Sequence, residues 1–150
     1  MSPSKPTRLT INAGMLMMAL EDHSTAEHFL DLQTGDLVLV PDYGLEEVDD
    51  ELAGLMEEAP ARFLLIEPIP TSRCFQVMAD FVESLPASPE RDALAKALHR
   101  PHPFRAFKEE LPAFPARREE WFRFHDEVFR EMARRWLEDE EIEGDLDGVE

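Results

Sequence analysis

Cysteine and long apolar runs are scarce in this sequence of 150 residues. Cys74 is the sole cysteine, which excludes an internal disulfide and a cysteine-based zinc cluster. Residues 1–8 are polar and contain proline, so they lack the apolar core of a signal peptide. The apolar stretch at residues 15–20 is far too short to cross a bilayer. These absences predict a cytoplasmic protein that does not engage a membrane.

Glycine is also scarce, and no common catalytic signature is present. The six glycines leave little room for a phosphate-cradling loop, and no Gly-x-Ser-x-Gly element occurs. His99 and His102 have a spacing found in metal sites, but Pro101 and Pro103 break the helix that would align them. We therefore predict no catalytic residue, no metal and no cofactor. The alternative is a small hydrolase or metal-dependent enzyme that uses carboxylates and a histidine such as His125.

Basic side chains are outnumbered, and the charge is distributed unevenly. The formal net charge is −18, from 15 Lys or Arg and 33 Asp or Glu. Residues 42–58 and residues 138–150 each hold eight acidic side chains and no basic one. Residues 91–135, in contrast, hold 11 of the 15 cations against eight acids. A net charge of this sign disfavours binding to nucleic acids and to anionic membranes, because both repel it.

The spacing of apolar residues predicts an α+β fold. Thr10 is expected to cap a first helix that ends at Glu21. Residues 28–41 then form a β-hairpin with Gly35 at a positive φ, and residues 62–66 form a third strand. The second arm of the hairpin reads Leu-Val-Leu-Val without polar alternation. It is therefore expected to be covered on both faces.

The rest of the chain is expected to be helical. An acidic helix covers residues 45–56, and apolar residues recur at helical spacing in residues 71–85, 88–99, 101–111 and 115–138. The result is a small antiparallel sheet, a hairpin plus a third strand, packed with about five helices. We predict one domain over residues 9–138, a flexible N-terminus at residues 1–8 and an acidic flexible tail at residues 139–150.

Several short motifs resemble those of one family of small bacterial proteins. Residues 30–38, LDLQTGDLV, resemble the LD-x-x-TG hairpin of uncharacterised protein family 0158. Three later segments fit the same family: MADFVESL at residues 78–85, PFRAFK at residues 103–108, and Trp121 to Phe124 with the closing RWL at residues 135–137. The resemblance covers nearly the whole chain and agrees with a hairpin-containing domain that ends in aromatic helices. It implies no activity, because the family has none established.

Aromatic and cationic side chains alternate in the C-terminal half. Helical spacing of this kind is typical of core packing with arginines in solvent; a protein interface and base stacking are the alternatives. We predict a non-enzymatic protein-interaction domain that binds a protein partner or forms a homodimer, and no nucleic acid. The residues expected on its binding surface are Arg105, Lys108, Trp121 and Arg123. A further alternative is an acidic mimic of nucleic acid that binds a basic protein.

Overall fold

The structure, a computed structural model, describes residues 8–42 and 48–147. The strands in these residues are β1 (Leu9–Asn12), β2 (Glu27–Asp31), β3 (Leu37–Val40), β4 (Phe63–Ile66) and β5 (Gly144–Asp147). The helices are α1 (Ala13–Glu21), α2 (Asp50–Glu58), α3 (Thr71–Ser84), α4 (Pro89–Ala97), α5 (Pro103–Glu110) and α6 (Pro115–Asp139). The predicted α+β class and the helical C-terminal half are confirmed. None of the described helices is long and apolar enough to cross a membrane.

The predicted hairpin and third strand form a three-stranded antiparallel sheet in the order β3-β2-β4. Phe29 of the central strand lies opposite Val38 of β3 and Leu65 of β4. Gly35 lies in the hairpin turn with a φ of 84°. A Cβ atom at Gly35 would lie 2.6 Å from the carbonyl oxygen of Thr10. Glycine is therefore required here both by the backbone angle and by the close approach of β1.

A second sheet is a departure from the prediction. Strands β1 and β5 pair in parallel, with Leu9 opposite Gly144. The helix expected from Thr10 begins at Ala13 instead, because the Asn12 side chain caps it by accepting a hydrogen bond from Met15 N at 2.9 Å. The four residues of β5 lie within residues 139–150, the segment predicted to be an acidic flexible tail. The flexibility of that segment stays a prediction.

The chain divides into two compact units. The sheet unit comprises residues 1–68 and 130–150, and the helical unit comprises residues 69–129. A single domain over residues 9–138 stays a prediction, since compactness does not decide whether the units unfold together. The predicted flexible N-terminus lies outside the described residues except for Arg8. Residues 43–47, at the start of the predicted acidic helix, also lie outside them.

The core of the antiparallel sheet tests the prediction that β3 is covered on both faces. Val38 and Val40 of β3 are buried with Phe63, and Leu52 and other apolar side chains of α2 pack against this cluster. Leu39, between the two valines, is 54% exposed. The prediction that β3 is covered on both faces is therefore wrong. An apolar strand at the edge of the sheet has one face in the core and one face that nothing in the described chain covers fully.

The helices of the helical unit begin and end near the residues that the sequence predicts. Ser88 caps α4 by accepting a hydrogen bond from Arg91 N at 3.1 Å, and Pro89 occupies the first turn, where its missing N–H has no cost. Leu94 of α4 and Phe107 of α5 are fully buried. The unit thus has a core of its own, built from side chains of successive helices.

Candidate interaction groove

The four residues predicted to form a binding surface do not share one environment. Arg105 and Lys108 of α5 and Arg123 of α6 are exposed. Trp121 is 7% exposed, so its predicted place on a surface is wrong. The three cations make no ion pair within the described part of the chain, and their role in binding a partner or a second copy stays a prediction.

Trp121 instead lies at the centre of an aromatic cluster in the helical unit. Its ring centroid is 5.4 Å from that of Phe81 and 5.1 Å from that of Phe107, both in edge-on geometry. Phe124 adds a tilted contact with Trp121 at 6.3 Å. Edge-on aromatic pairs of this kind stabilise a core beyond the area that they bury. Core packing, the first interpretation of the aromatic spacing, therefore accounts for Trp121.

His125, the histidine proposed for an enzyme, belongs to the same cluster. Its ring lies 5.3 Å from that of Trp121 and stacks on that of Phe129 at 4.6 Å. With these contacts His125 is half-buried. Among residues 8–42 and 48–147, no three His, Cys, Asp or Glu side chains are arranged as a metal-ligand set. The enzyme alternative stays a prediction.

A second histidine marks the turn between α1 and β2. His28 Nε2 lies 2.7 Å from Asp22 Oδ2, with 12% of the histidine side chain and 25% of the aspartate side chain exposed. Ser24 N donates a further hydrogen bond to Asp22 Oδ1 at 2.9 Å. The hydrogen bonds from His28 and Ser24 lower the pKa of Asp22 to about 2. The arrangement fixes the turn that leads into the central strand.

Asp22→Asn is expected to lower the free energy of unfolding at neutral pH by about 1–2 kcal/mol. The pKa of Asp22 is lower in the folded protein than in the unfolded chain, so its contribution is present above pH 4 and is lost between about pH 4 and pH 2. Urea unfolding at several pH values should show the difference between wild type and variant shrinking over that range. Glu67→Gln, at an exposed carboxylate, is the control. A difference that stays constant down to pH 2 would contradict the assignment.

The one buried charged residue of the described chain is Asp31, at the end of β2, which is 4% exposed. Arg62 donates two hydrogen bonds to it, from Nε to Oδ1 and from a terminal nitrogen to Oδ2, both at 2.8 Å. The guanidinium lowers the pKa of Asp31 and joins the end of β2 to the start of β4. Gln33 N also donates to Oδ1 at 2.9 Å. Asp31 therefore fixes both the hairpin turn and the third strand.

An open groove of about 660 Å³ lies in the sheet unit. Its lining includes β3 with the turn that precedes it, and Thr10 and Asn12 of β1. Apolar side chains come from Val48, which precedes α2, from Leu52 in the first turn of α2 and from Met15 of α1. Met15 is 48% exposed and Leu39 is 54% exposed, so the groove presents apolar surface to solvent.

Among the described residues, every charged side chain that lines the groove is acidic. The four are Asp31, Asp36, Asp49 and Asp147. The charge of Asp31 is balanced by Arg62. Asp49 caps α2 by accepting from the backbone N–H groups of its first turn. Asp36 and Asp147 are exposed and form no ion pair with the described residues, which leaves the groove with net negative charge.

Comparison with known proteins confirms the family resemblance that the short motifs predict. The model of the uncharacterised protein family UPF0158 matches residues 5–147. The chain belongs to this family. The UPF0158 protein PA5073 of Pseudomonas aeruginosa is 37% identical over 135 residues, which covers 90% of this chain and 86% of that protein. No solved structure matches the chain significantly.

The structure gives a physical reason for the residues of the hairpin motif that this chain shares with the UPF0158 family. Asp31 accepts from the turn and from Arg62, and Thr34 Oγ1 accepts from Asp36 N at 3.1 Å. Gly35 N donates to the Asp31 carbonyl oxygen at 2.8 Å. The motif thus sets the shape of the turn at one end of the groove. The sequence indicated the turn, but it could not show that Arg62 and β1 meet it.

Proposed function

We propose that this protein is a non-enzymatic interaction domain, located in the cytoplasm, whose groove binds a basic segment of a partner protein. The observation that carries the proposal is that, within residues 8–42 and 48–147, the charged side chains lining the groove are all carboxylates. A partner with lysine or arginine would neutralise them, whereas an acidic partner would be repelled.

The distribution of charge supports this choice of partner. The sheet unit, which contains the groove, holds 23 of the acidic side chains and six of the basic ones. The helical unit holds ten acidic and nine basic side chains and is nearly neutral. The negative potential is therefore concentrated on the sheet unit, where it would accelerate the approach of a basic segment and would weaken as salt is added.

Apolar contacts would add affinity to the electrostatic attraction. Met15 and Leu39 are about half exposed and both line the groove. Burial of such side chains releases roughly 25 cal/mol for each Å² of apolar surface. The expected partner therefore combines basic side chains with apolar ones.

The test uses a short capped peptide that alternates arginine and valine, with a glutamate–valine peptide of equal length as its acidic counterpart. The arginine peptide is expected to bind the full chain and the acidic peptide is not. The double variant Asp36→Asn/Asp147→Asn should weaken binding about tenfold at low salt, since two unpaired charges are lost. Isothermal titration calorimetry measures the affinity.

The matched control for the groove variant is Asp92→Asn/Glu109→Gln. Both residues are exposed in the helical unit and outside the groove, and the change in net charge is the same. This variant should bind the arginine peptide nearly as well as wild type. Equal losses in the two double variants would show attraction to the net charge alone and would refute the groove as the site. No binding of the arginine peptide to wild type would refute it as well.

A further inference from the structure

Strand β3 has a free edge. The antiparallel sheet has the order β3-β2-β4, so β3 pairs with β2 on one side, and no strand of the described chain pairs with its other side. Natural proteins usually protect such an edge with a charged residue, a proline or a bulge. The sequence of β3, LVLV, contains neither a charge nor a proline, and Leu39 is 54% exposed. Within the described residues, this edge is an unprotected template for another strand.

The hydrogen bonds of the hairpin show which main-chain groups lie on that edge. Asp31 N donates to the Asp36 carbonyl oxygen at 2.9 Å, so this pair is joined directly. Bonded and non-bonded pairs alternate along an antiparallel ladder. Val38 therefore bonds to β2, whereas the N–H and C=O groups of Leu37 and Leu39 point away from it. Leu37 and Leu39 both line the groove.

Strand β1 presents a second edge at the groove, where the Thr10 carbonyl oxygen closely approaches Gly35. Leu9 N donates to the Glu143 carbonyl oxygen at 3.0 Å, so Leu9 bonds to β5. Along a parallel ladder, too, successive residues of one strand alternate between bonding to the partner strand and pointing away from it. Ile11 therefore also bonds to β5, whereas the main-chain N–H and C=O groups of Thr10 and Asn12 point away from β5. Thr10 and Asn12 are the residues of β1 that line the groove. Two strand edges thus face the same space.

From this geometry we infer that the partner segment binds as an added β-strand along β3. This inference rests on the proposed function, and it specifies how the partner segment binds to the groove. An extended segment would donate to and accept from the main chain of Leu37 and Leu39. Side chains of a strand alternate in direction, so a segment that alternates basic and apolar residues meets both the carboxylates and the apolar surface of the groove. The edge of a second copy would bring its own carboxylates, which disfavours that occupant.

The test is to methylate main-chain nitrogens of the arginine–valine peptide. One peptide is methylated on every valine nitrogen and another on every arginine nitrogen, which removes the donors of one strand edge at a time and leaves the charge unchanged. At least one of the two is expected to bind the full chain tenfold or more weakly than the unmodified peptide. If both bind as the unmodified peptide does and Asp36→Asn/Asp147→Asn still weakens them, strand addition is refuted while the proposed function stands.

A protein variant gives an independent measurement. Leu39→Pro removes an N–H group that points into the groove and leaves the ladder with β2 in place, so the variant should retain the circular dichroism spectrum of wild type. It is expected to bind the unmodified peptide at least tenfold more weakly. Undiminished binding would overturn the inference. Sedimentation of wild type without peptide completes the test, because a dimer that Leu39→Pro abolishes would assign the edge to a second copy and overturn it too.

Discussion

Asp31→Ala is expected to lower the free energy of unfolding by about 3 kcal/mol. The substitution removes two hydrogen bonds from Arg62 and one from Gln33 N at a position that is 4% exposed. Hydrogen bonds to a charged group at a buried position contribute more than those at the surface, because little water competes for the partners. Urea unfolding followed by far-ultraviolet circular dichroism measures the loss.

Asp145→Ala is the matched control. Asp145 also accepts a forked pair of hydrogen bonds from an arginine, Arg8, but both side chains are more than half exposed. Solvent screens such a pair, so no resolvable change in stability is expected. Arg62→Met provides the reciprocal test and should cost as much as Asp31→Ala, because it leaves the carboxylate buried without its counter-charge. Equal effects at Asp31 and Asp145 would show that burial does not set the strength of these pairs.

The sequence predicted the hairpin, but it predicted neither the exposure of Leu39 nor the position of β3 at the edge of the sheet. Alternation of polar and apolar residues reports on the two faces of a strand. It carries no information on the main-chain groups, which point within the sheet. The pattern of β3 is therefore compatible with a central strand and with an unprotected edge strand. The position of β2 between β3 and β4 decides between them, and that position follows from pairing with residues 63–66, far along the chain.

Long-range pairing also explains the error at the two ends of the sheet unit. Thr10 and Asn12 are both good helix caps, and local propensity does not choose between them. The pairing of β1 with β5 makes the choice, because Leu9 and Ile11 become strand residues once Gly144 and Leu146 lie beside them. Partners 135 residues apart leave no local pattern in either segment. The groove, whose walls are β3 and β1, could not be predicted for the same reason.

Trp121→Ala is expected to lower the free energy of unfolding of the helical unit by about 3–5 kcal/mol. Trp121 is 7% exposed and contacts Phe81, Phe107 and Phe124, so its removal leaves a cavity as well as lost apolar contacts. Far-ultraviolet circular dichroism during urea unfolding measures the loss. The remaining tryptophan, Trp136, belongs to the sheet unit, and its fluorescence reports on that unit separately.

Phe122→Ala tests the same helix one residue further on, where the side chain is 51% exposed and lies under the guanidinium of Arg118 at 5.0 Å. Its loss should cost about 1 kcal/mol or less. A Trp121→Ala variant that is as stable as Phe122→Ala would support the surface role predicted for Trp121.

In the Trp121→Ala variant, the fluorescence of Trp136 tests whether the two units unfold together. If the midpoint of the Trp136 fluorescence shifts to lower urea together with that of the circular dichroism, the two units unfold as one, and the single domain predicted over residues 9–138 is supported. If Trp136 keeps its wild-type midpoint, the units are thermodynamically independent, and the groove belongs to a unit whose stability does not depend on the aromatic core.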